Sequence, residues 1–131
     1  MDLLLPKVEA PVLPMPSYVK LAMAFGVGAG ATLFDKSRYR SHGAITTATW
    51  AAGVHGYCLD FVPGNPDHVV IPAAHTQLNF IAEDFSIIAR VNADDLTADR
   101  EIFMRGELNV DGHEMKLRGG GGLDFFTYQT P

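Results

Sequence analysis

Short runs of apolar and β-branched residues, separated by turn residues, follow one another from residue 19 to residue 128. They occupy 19–25, 32–34, 44–50, 57–61, 68–71, 85–91, 102–105, 113–117 and 123–128. Each is short and is followed by Gly, Pro, Asn, Asp or another polar turn, so each is predicted as a strand. The segment 85–91 (FSIIARV) alternates most clearly. Phe85, Ile87, Ala89 and Val91 share one face, and Ser86, Ile88 and Arg90 share the other. At 113–117 (HEMKL), Met115 lies on the face opposite to Glu114 and Lys116. Turn chemistry fills the gaps: VPGNPD at 62–67, Val110-Asp111-Gly112, and the glycines from Gly119 to Gly122. Only 72–79 and 92–101 leave room for a helical turn. The pattern predicts an all-β fold, an antiparallel β-sandwich.

Residues 1–17 differ. Pro6, Pro11, Pro14 and Pro16 exclude a helix there and predict an extended arm or linker, lying on a neighbour or loosely ordered as a tail. Residues 18–131 then form one sandwich domain, with no boundary visible inside it.

The composition excludes several functions. With 47% hydrophobic and 19% charged residues, the 131-residue chain is too apolar to be disordered. A net charge of −5 and the lack of any Lys/Arg run argue against nucleic-acid binding, which needs a basic stripe. Cys58 is the single cysteine, so no disulfide framework staples the chain. The start, Met1-Asp2-Leu3-Leu4-Leu5-Pro6, lacks the basic residues and long apolar run of a signal peptide. The apolar stretch 21–34 falls short of the ~20 residues of a spanning helix and carries Gly26, Gly28 and Gly30, so no membrane insertion is expected.

The order of motifs carries a resemblance. A short apolar strand at 21–25 precedes a D-x-S-x-x-x-x-H-G stretch at Asp35, Ser37, His42 and Gly43. A-T-W follows at Ala48, Thr49 and Trp50, then Leu59-Asp60-Phe61, then DHVVIP at 67–72 and Leu78-Asn79-Phe80. DFSIIARV at 84–91 leads to IFMRG at 102–106. This succession resembles the laminin-G-like jelly roll of the concanavalin A-like lectin and glucanase superfamily, over residues ~19–130. The resemblance implies two sheets packed face to face. It implies a surface or extracellular setting, in a larger adhesive protein or on a virion, and recognition of a glycan or glycoprotein. It also implies calcium as the one plausible cofactor, at a sandwich rim, with Asp35 the best-placed ligand and Asp60 and Asp67 behind it. None is required by the residues themselves, and Asp35 read alone suits an Asx turn. Two departures stand out. Arg38-Tyr39-Arg40 replaces the Gly and Asn usual in that loop, and the family's C-terminal strands do not follow residue 128. The resemblance therefore implies a sandwich whose C-terminal part is either missing or supplied by another chain.

No catalytic residue is expected. A glucanase of this type needs carboxylates at alternate positions of one strand, whereas Glu83-Asp84 are adjacent and on a strand would point apart, and Asp94-Asp95 are adjacent in a polar loop. His42, His55, His68, His75 and His113 are isolated, without zinc spacing, and His68 and His113 are expected at the surface or rim. Trp50 is expected to pack inward, although it, Tyr57 and Tyr128 could stack on sugar rings. The glycines at 26, 28 and 30 lack the spacing of a nucleotide loop. Cys58 is expected to be buried and inert. The leading expectation is a non-catalytic carbohydrate- or glycoprotein-binding module. The alternative is a structural or assembly protein that self-associates or binds a protein partner, with Phe125, Phe126 and Tyr128 left uncovered. A glycoside hydrolase comes third.

Overall fold

The structure, a computed structural model, describes residues 14–80, 83–107 and 111–128. Among them there is no α-helix. The strands are β1 (Met23–Ala24), β2 (Thr32–Asp35), β3 (Gly43–Thr46), β4 (Thr49–Gly53), β5 (Gly56–Asp60), β6 (His68–Val70), β7 (Arg100–Glu107), β8 (Asp111–Arg118) and β9 (Gly122–Tyr128). One 3-10 turn, Thr76–Leu78, falls where the sequence leaves room for it. Every pairing is antiparallel, so the fold is all-β as the periodicity predicts.

The strands make three sheets, ordered β1-β2-β3-β6, β4-β5 and β7-β8-β9. They fall into two compact units, Met1–His75 and Thr76–Pro131. The first unit holds the first two sheets and the second holds the third. The sequence shows no boundary at this point, yet every ladder closes within one unit.

In the first unit, the run 44–50 is two strands rather than one. Thr47 has φ 57°, a left-handed conformation uncommon for a β-branched residue. The Ala48 amide turns back to the Thr46 carbonyl at 2.7 Å. A ladder cannot pass this corner, so β3 pairs with β2 and β6, while β4 leaves to pair with β5. The β4-β5 hairpin then holds the glycine-rich loop before β2. Trp50 Nε1 donates to the Gly30 carbonyl at 2.8 Å, and its ring meets Phe25 edge-on at 6.3 Å. The Tyr57 ring lies so close to Gly28 that a Cβ there would meet it at 2.5 Å. Gly28 thus serves close approach to an aromatic ring. Cys58, half-buried on β5, donates to the Ala51 carbonyl at 3.6 Å.

In the second unit, β8 is the central strand between β7 and β9. The glycine run forms the β8-β9 turn, with Arg118 opposite Gly122 and both Gly120 and Gly121 at positive φ. The β7-β8 connection differs from expectation. Asp111 and Gly112 open β8 and pair with Glu107 and Gly106, while Val110, expected in their turn, lies outside the described residues. The clearest alternation in the sequence, 85–91, forms no strand. Periodicity says which side chains share a face, but a strand also needs a neighbouring edge. No backbone–backbone hydrogen bond joins these residues to any other described residue.

Few apolar side chains are enclosed. Among the described residues Leu33 and Ala48 are buried in the first unit, and Leu78 and Met115 in the second. Sixteen large hydrophobic side chains among the described residues are exposed. Isolated exposed apolar residues are ordinary, but so short a buried set leaves much apolar surface uncovered.

Candidate functional site

The D-x-S-x-x-x-x-H-G stretch closes on itself around Asp35. β2 ends at Asp35, and the chain returns through Ser37 and Ser41 to β3. Asp35 is fully buried and accepts four hydrogen bonds. The amides of Ala22 and Ser37 reach Oδ1 at 2.8 Å each. The Ser37 hydroxyl and the Ser41 amide reach Oδ2 at 2.6 and 2.7 Å. The Asp35 amide donates to His42 Nδ1 at 3.0 Å, and the imidazole packs edge-on against Phe34. Gly43 is required because a Cβ would overlap the Val69 side chain. Burial alone would raise the Asp35 pKa, but the hydrogen bonds from Ser37, Ala22 and Ser41 outweigh it and hold the carboxyl below its ordinary value. The motif is thus a hydrogen-bonded knot that joins β1, β2 and β3.

This knot does not fit calcium. Calcium takes about 6–8 oxygen ligands. The groups around Asp35 are amide and hydroxyl donors, and they already fill both carboxylate oxygens. Asp60 lies exposed at the end of β5, and Asp67 accepts the Val62 amide at 2.7 Å. No cluster of three or more His, Cys, Asp or Glu able to hold a metal occurs among the described residues.

The second unit places two further buried polar groups on opposite faces of β8. His113, expected at the rim, is only 5% exposed. Its ring lies 5.3 Å from both Phe80 and Phe85, and the Phe80 amide approaches Nε2 at 3.4 Å. Burial, and secondarily the Arg105 charge, lower its pKa despite the Leu78 carbonyl. This favours the neutral imidazole inside an aromatic cluster. Phe80 and Phe85 stack at 4.5 Å, and Phe85 reaches Phe125 of β9 at 5.8 Å. On the other face, Glu114 is 1% exposed. It accepts from the Tyr128 hydroxyl at 3.0 Å and pairs with Lys116 at 3.1 Å, which also reaches Asp99 at 3.3 Å. The alternation of 113–117 places Glu114 and Lys116 together, but nothing in it signals that Tyr128 would seal the carboxylate from the next strand.

A cleft of about 490 Å³ in this unit is lined by Phe80, Phe85, Arg105, Asp111, His113 and Tyr128, among others. Arg105 Nε donates to Asn79 Oδ1 at 2.8 Å along it. Trp50 and Tyr57, also considered for sugar stacking, belong to the first unit and hold its glycine loop. Glu83 and Asp84 are exposed, and Asp95 caps its own loop through Thr97 at 2.8 Å.

The remaining feature is the edge of the third sheet. β9 pairs with β8 on one side and with no described residue on the other. It contains neither Pro nor Lys, and its single charge, Asp124, is taken by Arg118 at 3.0 Å. Leu123, Phe125 and Phe126 on this strand are 63%, 46% and 36% exposed. The opposite edge strand, β7, carries Arg100, Glu101, Arg105 and Glu107.

No family model, curated protein or solved structure matches this chain. No helix among the described residues is long and apolar enough to cross a membrane.

Proposed function

We propose that this chain is a non-catalytic structural or assembly module whose β7-β8-β9 sheet is continued by a strand of another polypeptide. The observation that carries this reading is the open β9 edge. An edge strand presents unpaired N–H and C=O groups, and folded proteins blunt such edges with Lys, Pro, bulges or charge. β7 is blunted in this way, by its charges and by a bulge between Glu101 and Phe103. β9 has no Lys, Pro or bulge, its one charge is paired with Arg118, and it adds three exposed apolar side chains. A partner strand would satisfy the backbone and cover that surface in one step.

The buried polar groups support a non-catalytic role. Asp35 accepts four hydrogen bonds, each Glu114 oxygen has a partner in Tyr128 or Lys116, and His113 is enclosed by rings. The test is analytical ultracentrifugation across a range of concentrations. The reading expects species above 14.2 kDa that grow with concentration, and a cooperative 14.2 kDa monomer throughout would contradict it.

One observation favours a second reading, recognition of a glycan or glycoprotein. The cleft beside Phe80 and Phe85 sets aromatic rings next to Arg105 and Asp111, a combination suited to a sugar face and its hydroxyls. A glycan array decides it, since binding that Phe85→Ala abolishes would support this reading and a blank array would reject it.

A further inference from the structure

We infer that the strand continuing the sheet comes from a second copy of this chain, and that it is residues 85–91 laid antiparallel along β9. This rests on the assembly reading above.

Among the described residues, the β7-β8-β9 sheet has two open edges, of which β9 is the one without Lys, Pro or a bulge, and the same unit holds an alternating segment that joins no ladder. β9 is seven residues long, and its outer edge pairs with no described residue. Residues 85–91 are also seven in number, alternate like a strand, and make no backbone–backbone hydrogen bond to any described residue. Unpaired backbone in apolar, β-branched sequence is costly unless water or a ladder satisfies it.

The two segments also match in charge and pattern. Arg90 is the only charge in 85–91, and Asp124 is the only charge in β9. Arg90 has no ion pair among the described residues. An antiparallel register that sets Arg90 opposite Asp124 also sets Ile88 opposite Phe126 and Ser86 opposite Tyr128. On the other face it sets Val91, Ala89 and Ile87 opposite Leu123, Phe125 and Thr127. A slip of one residue would face Arg90 with Leu123 or Phe125, so the register is specified.

Within one copy, the segment is anchored on the face of the sheet rather than at its edge. The Phe85 ring stacks on Phe80 and rests against Phe125 and His113. Three residues later, Ile88 is 97% exposed. Each copy therefore offers the β9 edge and the 85–91 segment, and two copies exchanging them reciprocally close a twofold dimer. That exchange covers Ile88, Val91, Leu123, Phe125 and Phe126, all exposed in the single chain.

The test is amide hydrogen exchange on the full chain, below and above its association midpoint, with Ile88→Pro and Arg90→Asp as variants. Both side chains are exposed, so neither substitution removes a buried contact. Circular dichroism checks that the sheet signal persists. The expected result is protection of 85–91 and β9 rising together with association, and at least a tenfold weaker association in both variants. Association that survives both variants with 85–91 unprotected would overturn this inference while leaving the assembly reading intact. Protection of 85–91 independent of concentration would overturn it in favour of pairing within one chain. A monomer at every concentration would overturn both.

Discussion

Asp35 and Ser41, at the two ends of the β2-β3 connection, are joined by a 2.7 Å hydrogen bond from the Ser41 amide to the buried carboxylate. Asn at position 35 would keep one acceptor oxygen but turn an amide NH2 toward donors. Asp35→Asn should therefore lower unfolding stability by about 1–3 kcal/mol, the cost of leaving buried polar groups unpaired. Urea denaturation measures it. The same saturation leaves no oxygen for a cation, so millimolar calcium should not raise the melting temperature through Asp35, and an increase abolished by Asp35→Asn would contradict this.

Gly106 and Gly112 face each other across the β7-β8 ladder with φ of 96° and 100°. A Cβ on Gly112 would overlap the Arg105 carbonyl, and one on Gly106 would overlap that of Asp111. Gly112→Ala should cost more than the roughly 1–2 kcal/mol of a left-handed L-residue, because the clash adds to it. A thermal melt reads the loss, and an unchanged midpoint would contradict the hairpin geometry.

His113 gives the second unit a pH dependence of definite sign. Its folded pKa lies below the ordinary 6.5. Above that value both states are neutral and stability does not vary through this group. As pH falls below about 6.5 the unfolded chain takes up a proton that the folded chain refuses, so stability declines until the folded imidazole also titrates. Asp35 adds a separate loss only at lower pH, as the medium passes below the carboxyl's ordinary 3.8 and through its depressed folded value. His113→Gln should flatten the decline below 6.5, and parallel curves for the two proteins would contradict the enclosed imidazole.

The fold class was legible because turn residues and short runs are local signals. The Gly119–Gly122 turn and the shared face of Glu114 and Lys116 could be read directly. The corner at Thr47 could not, because a β-branched residue gives no sign that it will take a positive φ. The segment 85–91 reads as a strand since alternation is a property of the segment, whereas a strand is a property of a pair. The burial of His113 was hidden for a similar reason: Phe80 and Phe85 enclose it from more than twenty residues away in sequence. Around Asp35 the motif was visible, but its role depended on which donors the fold delivers, above all the Ala22 amide from the segment before β1.

The β9 edge is the centre of the functional account, and a charge placed on it tests that account most directly. Leu123 is 63% exposed, so Leu123→Lys introduces no buried charge and supplies the edge protection that β9 lacks. The measurement is sedimentation velocity of the native chain and Leu123→Lys at matched concentrations. The native chain should assemble and the variant should sediment as a 14.2 kDa species, with an unchanged sheet spectrum. Equal assembly by both proteins would contradict the β9 edge as the surface that another chain completes.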